Sequence, residues 1–400
     1  MKKEDDNMKD NTRLTHGFQG ADPCTGAISF PIFQSATFRH NGLYQSTGYD
    51  YSRAGNPTRE ELEKTLTALE QGEKCWAFSS GMAAISTVFR LLKPGDHVLL
   101  SEDLYGGTHR LASDIYEPYG IEFEYIKMSD PSALSSRIRE NTAMVFVETP
   151  SNPMMTVTDL AAIRDVITGR GILFVVDNTF LTSYFQKPLL FGADLVVYSG
   201  TKYLCGHNDV LAGFVVAGPN EDLCTRLSRI SMSEGAVLGA FDSWLMIRSL
   251  KTLAVRLERQ EKNAGEIAKY LQTCPEVIDV YYVGLPSHPG YDTNRKQSSG
   301  AGAMISFRLS SRDLAVHIIE NVQLIYFAES LGGVESLITY PVVQTHAETP
   351  EALKLSVGLD DRLLRLSVGL EDVSDMIEDL AQTFSSYQTK TGGSSDGIFA

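Results

Sequence analysis

ILFVVDNTFLTSYFQKPLLFGADLVVYSGTKYLCG, residues 172–206, carries two apolar runs, ILFVVDN and DLVVYSG, that break off abruptly into polar and small residues. Runs this short, bounded by turn residues, read as strands buried on both faces. The same signal recurs upstream in CWAFSS, HVLLSE, IEFEYI and AMVFVET, while EELEKTLTALEQ, GMAAISTVFRLL and DLAAIRDVITGR space their apolar residues as helices do. Strands alternating with helices predict βαβ units and an α/β fold with a mostly parallel sheet covered on both faces. Ligands of such sheets sit beyond the carboxyl ends of the strands, which is where DLVVYSG delivers Lys202.

Further along, DSWLMIRSLKTLAVRLERQEKNAGEIAKYLQ gives one long helical pattern from Asp242, an N-cap candidate, and reads as a bridge into a second, smaller α/β unit. That unit has VIDVYYV, AMISFRL and LLRLSVGL as strands and DVSDMIEDLAQTF as an amphipathic helix. The expected organisation is residues 1–58, then 59–250, then 251–388, with the Gly/Ser-rich 389–400 as a disordered tail. The only near-repeat is LSVGLDD at Leu355 and LSVGLED at Leu366, too short for a repeat unit.

The 400 residues are 43% hydrophobic and 21% charged, enough for one large core and a smaller one. A net charge of -15 without a cationic cluster sets nucleic acid and anionic membranes aside in favour of small molecules. Five scattered cysteines suit neither a disulfide framework nor a zinc site, and no signal peptide or membrane span is visible, so a cytoplasmic protein without a metal is expected.

Lysine at a strand end among hydroxyls suits a nucleophilic amine that condenses with a carbonyl, although position alone favours a lysine reaching out to solvent. Asp177 closes ILFVVD and has the chemistry to keep a pyridine nitrogen protonated, or simply to cap a turn. Gly81 and Met82 open a helix whose N-H groups would face an anion, with Ser199 and Thr201 as hydroxyl donors. Tyr105, ahead of two glycines, would stack on a flat heterocycle or pack a turn. Arg365, inside an apolar strand, needs a partner, either a substrate carboxylate or an internal acid. His207 and Asp209 beside Gly206 read as a turn before an acid/base pair.

With these residues assembled, the chain resembles the Cys/Met metabolism family of pyridoxal-phosphate enzymes, which includes cystathionine γ-synthase, cystathionine γ- and β-lyases and methionine γ-lyase. The motifs PIFQSATF, YDYSRAGNPTREELE, YGGT, VETPSNP, VVDNTF, SGTKYLCGHNDVLAG, AESLGGVESL and RLSVGLED follow in order over nearly the whole chain. The resemblance implies a fold type I architecture with a seven-stranded sheet and a smaller C-terminal domain. It implies pyridoxal 5'-phosphate held by Lys202, Asp177 at the ring nitrogen, Tyr105 on the ring as a second catalytic group, and Gly81, Met82, Ser199 and Thr201 around the phosphate. Tyr51 and Arg53 are expected to reach a neighbouring subunit's phosphate, which makes residues 1–58 a donated arm and the protein a homotetramer of two active dimers. Arg365 is expected to bind the substrate carboxylate, supported by Asn152 and Ser330, with Lys354 ahead of the other LSVGL as its less favoured rival. Glu329 is expected near the distal end of the substrate.

The chain departs from the family pattern at Gly200, where Ala is usual, at Cys205 and at Asn208, and no cysteine follows Tyr105 as in methionine γ-lyases. Glu329 and the Gly332-Gly333 pair favour γ-elimination or γ-replacement on cystathionine or activated homoserine. Cystathionine β-lyase and methionine or homocysteine γ-lyase are the alternatives within the family, an aminotransferase or a non-catalytic relative outside it.

Overall fold

The computed structural model describes residues 8–392. Its strands are β1 (Lys74–Phe78), β2 (His97–Ser101), β3 (Glu122–Ile126), β4 (Thr142–Glu148), β5 (Leu173–Asp177), β6 (Leu195–Ser199), β7 (Gly213–Ala217), β8 (Val277–Tyr281), β9 (Met304–Leu309), β10 (Tyr326–Phe327), β11 (Leu337–Thr339) and β12 (Leu363–Ser367). The first seven form one sheet in the order β1-β7-β6-β5-β4-β2-β3, and the rest a second in the order β10-β11-β12-β9-β8. In the large sheet β2 to β6 pair in parallel, while β7 runs antiparallel to both β1 and β6.

Side chains alternate across a strand, so a strand buried on both faces feeds two cores. Val145, Val147, Phe174, Val176, Val196 and Val216 face one core together with the helix Pro57–Glu70, whose Leu62, Leu66 and Leu69 are fully buried. Met144, Phe146, Val175, Leu195, Val197 and Val215 face the other, together with Ala84, Ile85 and Val88 of the helix Gly81–Phe89. The sheet is therefore sandwiched by helices, and its polar strand ends lie at the edge.

Two expectations change. The helical pattern from Asp242 is two helices, Ala240–Leu250 and Leu253–Leu271, and the first is capped at Gly239. Between them the Ser249 carbonyl accepts from the Thr252 N–H and from Arg256 Nη2, which takes it out of a continuous ladder. At the other end, the final helix runs from Val373 to Gly392, through the start of the segment expected to be a disordered tail, because DVSDMIEDLAQTF lays Met376 and Leu380 into the core. Residues 393–400 lie outside the described residues.

Candidate active site

A cavity of about 200 Å³ opens at the carboxyl ends of β4, β5 and β6 and is closed on the far side by residues of the second sheet. All the expected site residues line it except Tyr51 and Arg53. Lys202 enters from the turn after β6, which is tightened by Cys205 N–H to the Gly200 carbonyl and Gly206 N–H to the Lys202 carbonyl. Its Nζ donates to Ser330 Oγ at 3.0 Å. Burial first, and then the Arg365 charge, lower the ammonium's pKa to about 8, so a fraction of the amine is free near neutral pH.

Asp177, at the tip of β5, is 8% exposed and accepts from the Thr179 N–H at 3.0 Å. Its register partner on β4 is Glu148, equally buried, and burial raises the pKa of both. Glu148 is pushed well up because it also feels the charges of Asp177 and Asp103. Two adjacent buried carboxyls with little room for two negative charges leave Asp177 as the one suited to meet a cation. Glu148 Oε2 accepts the Tyr105 N–H at 2.9 Å and so holds the start of the short helix Gly106–Arg110. The Tyr105 ring then folds over Gly107, where a Cβ would meet Cε1 at 2.4 Å.

The helix Gly81–Phe89 points its N-terminus into the cavity. Ser80 caps it by accepting from the Ala83 N–H, and the Gly81 and Met82 N–H groups have no acceptor within the helix. A Cβ on Gly81 would lie 3.0 Å from the Ser199 Cβ, so only glycine leaves the space between the helix start and β6 open. A small anion fits this cradle of N–H groups, helix dipole and the Ser199 hydroxyl. The Thr201 hydroxyl is paired with both backbone groups of Ala212 and reaches the cavity from that anchored position. An amine, a buried acid and an anion cradle around one cavity fit a phosphorylated pyridine aldehyde.

Arg365 lies mid-strand in β12, opposite Thr339 on β11 and Ser306 on β9, and is 1% exposed. Its guanidinium donates to Asn152 Oδ1 at 2.7 Å, Ser330 O at 3.0 Å and Thr339 Oγ1 at 3.1 Å, all neutral oxygens. Nε has no partner, and among the described residues no carboxylate pairs with the group. Ser330 joins Arg365 and Lys202 from a backbone at φ 102°, a strained value for a non-glycine residue. Gly332, at φ 77°, lets this loop press on the Lys202–Tyr203 backbone, where a Cβ would come within 2.5 Å of the Tyr203 nitrogen. Glu329 lines the same wall.

Lys354 is directed elsewhere, to the Ala347 carbonyl. Tyr51 and Arg53 stand together outside the cavity, the guanidinium 5.9 Å from the ring centroid, in a groove shared with Gly235, Val237 and Leu238. His207 and Asp209 form no dyad: His207 Nδ1 pairs with the Cys205 carbonyl, while Asp209 accepts from the Cys205 thiol at 3.1 Å. Cys205 itself is fully buried filler behind the lysine turn. Sequence reasoning missed Glu148, Thr179, Phe180 and Thr345 among the lining residues.

A sequence model of the family described as Cys/Met metabolism PLP-dependent enzyme matches residues 11–385. Over 375 residues the chain is 45% identical to a cystathionine gamma-lyase of Bacillus subtilis (strain 168), covering 94% of this chain and 99% of that one. It is 46% identical over 371 residues to a cystathionine beta-lyase of the same organism, covering 93% and 95%. A crystal structure of cystathionine gamma-lyase from Lactobacillus plantarum complexed with L-serine superposes with a TM-score of 0.92 at 40% identity, covering 95% of this chain and all of that one. Family match, relatives and fold agree with the residues gathered in the cavity: the chain belongs to the Cys/Met metabolism family of PLP-dependent enzymes, and its cofactor is pyridoxal phosphate.

Proposed function

We propose that this enzyme makes or breaks a carbon–sulfur bond at the γ-carbon of cystathionine or an activated homoserine. The observation that carries the reading is the buried Arg365 guanidinium, matched by neutral oxygens only and facing the same cavity as the Lys202 amine. A buried cation without an acid is stabilised by an incoming carboxylate, and a two-point hydrogen-bonded pair also fixes the orientation of the amino acid. Pyridoxal phosphate, when bound, supplies the electron sink that makes the carbon beside the substrate nitrogen acidic.

In this reading Lys202 holds the cofactor and then serves as the base, moving the proton at Cα and, for γ-chemistry, at Cβ. A pKa near 8 suits a group that must both accept and return protons at neutral pH. Asp177 would keep the ring nitrogen of bound pyridoxal phosphate protonated, and Tyr105 would stack on the ring with its phenolic oxygen as a proton acceptor beside the substrate amine. Gly81, Met82, Ser199 and Thr201 hold the phosphate. Asn152 and Ser330 orient Arg365, and Glu329 faces the distal end of the substrate. Residues 1–58 act as an arm whose Tyr51 and Arg53 complete the phosphate site of a neighbouring subunit, within a homotetramer of two active dimers. Units 59–250 and 251–388 are the cofactor and C-terminal domains. A cytoplasmic setting is supported by five cysteines that are all free.

Glu329 and the close approach of the Gly332-Gly333 loop to Lys202 favour γ- over β-chemistry. Purified holoenzyme given cystathionine is expected to release cysteine, 2-oxobutyrate and ammonia, or to form cystathionine from an acylated homoserine and cysteine. Homocysteine, pyruvate and ammonia as the only products from cystathionine, with no γ-replacement from acyl- or phosphohomoserine, would assign it to the β-lyases instead.

A further inference from the structure

Residues 341–358 form a strap beside the cavity, turns from Pro341 to Pro350 followed by the helix Glu351–Val357. Its Thr345 lines the cavity wall, and its backbone passes so close to Gly106 that a Cβ there would meet the Thr345 carbonyl at 2.4 Å. Arg110 and Glu348 pair at 2.6 Å across the same contact.

The next residue, His346, is turned inward and is 3% exposed. Its Nε2 lies 3.0 Å from the Asn152 carbonyl and its Nδ1 2.8 Å from Thr345 Oγ1. A carbonyl only accepts, so Nε2 carries the hydrogen. Burial and the neighbouring cations Arg365 and Lys354 hold the ring neutral, its pKa lowered to about 4, so Nδ1 keeps a lone pair and the Thr345 hydroxyl donates to it. One chain of hydrogen bonds thus runs from the strap hydroxyl through the imidazole to Asn152. Its side-chain oxygen receives Arg365 Nη1 at 2.7 Å. The loop bearing Asn152 is pinned on its other side by Ser306 Oγ, which donates to the Pro153 carbonyl at 2.6 Å. Asn152 is therefore gripped by β9 and by the strap, with Arg365 attached to what is gripped.

We propose that His346 is a positioning residue for carboxylate capture, its Nε2–H holding the Asn152 carbonyl and thereby fixing the side chain that aims Arg365, a role that rests on reading Arg365 as the substrate-carboxylate group. A histidine that only filled space would be replaceable by leucine or by either short amide. A histidine that acts through Nε2 is replaceable by glutamine, whose amide nitrogen reaches the same place, and not by asparagine, which imitates Nδ1 alone.

The test uses holoenzyme and glycine, an amino acid with a carboxylate and no leaving group, its binding followed by the change in cofactor absorbance. His346→Leu and His346→Asn are expected to weaken glycine binding about tenfold, the scale of a lost hydrogen bond to a charged assembly, while His346→Gln stays within about threefold. With a turned-over substrate the loss falls in KM and leaves kcat within about threefold. Arg365→Leu is the control and abolishes glycine binding. If His346→Leu fails to fold, the Asn and Gln variants decide alone. Equal weakening in those two, or weakening in neither, overturns the proposal while the control holds. Should Arg365→Leu bind glycine as the parent does, the carboxylate reading itself falls.

Discussion

Gly200 stands where a methyl group has no room. A Cβ there would lie 2.3 Å from Phe214 Cε2 and 3.0 Å from the Ala212 Cβ, so a phenylalanine on the facing strand occupies the space an alanine would need. Gly200→Ala is expected to destabilise the protein by about 1–3 kcal/mol through overpacking, and Phe214→Leu in the same chain to recover part of it. Melting curves of the two single variants and the double read this as a coupling, since residues in contact are not additive. Asp177 was legible because an acid ends an apolar run, and Arg365 because an arginine interrupts one. Glu148 ends AMVFVE in the same way and was open to the same reasoning. His346 and Thr345 were not legible, because their importance comes from a contact with Asn152, far away along the chain.

Among the elements, β1 to β6 were readable as apolar runs between turn residues, and β8, β9 and β12 likewise. GFVVA, which forms β7, is an apolar run as well, but its reversal within a mostly parallel sheet is set by pairing with β1 and β6, which no local pattern reports. The near-repeat makes the point sharply. Leu355-Ser356-Val357 ends a helix that stops at Gly358, whereas Leu366-Ser367 belongs to β12, so the same five letters adopt two structures according to what they pack against. The helix Gly81–Phe89 offers a test at this scale. Ser80→Ala removes the cap on Ala83 N–H, and a loss of about 1 kcal/mol is expected in thermal unfolding of the apoprotein. Cofactor release, followed by absorbance, is expected to quicken in the same variant, because the anion cradle is built on that helix start.

For the whole molecule, the cavity is shared: Lys202 and Asp177 come from the large sheet, Glu329, Ser330 and Arg365 from the region of the small one. Tyr51 and Arg53 do not line the Lys202 cavity of their own chain but a separate groove, and a complementation experiment tests their proposed service to a neighbour. Lys202→Ala and Arg53→Ala chains, each inactive alone, are expected to regain about a quarter of parental activity when coexpressed equally, since half the dimers are then mixed and each mixed dimer has one intact site. Activity no greater than the sum of the separate variants would show that Arg53 acts only within its own chain. The shared cavity also has a consequence for synthesis. On the ribosome Lys202 emerges long before Arg365, so a message cut short between the two yields a polypeptide that has the amine proposed to hold the vitamin and lacks the group proposed to grip an amino acid. Premature termination therefore silences such a product at the substrate step, however much of its first sheet has formed.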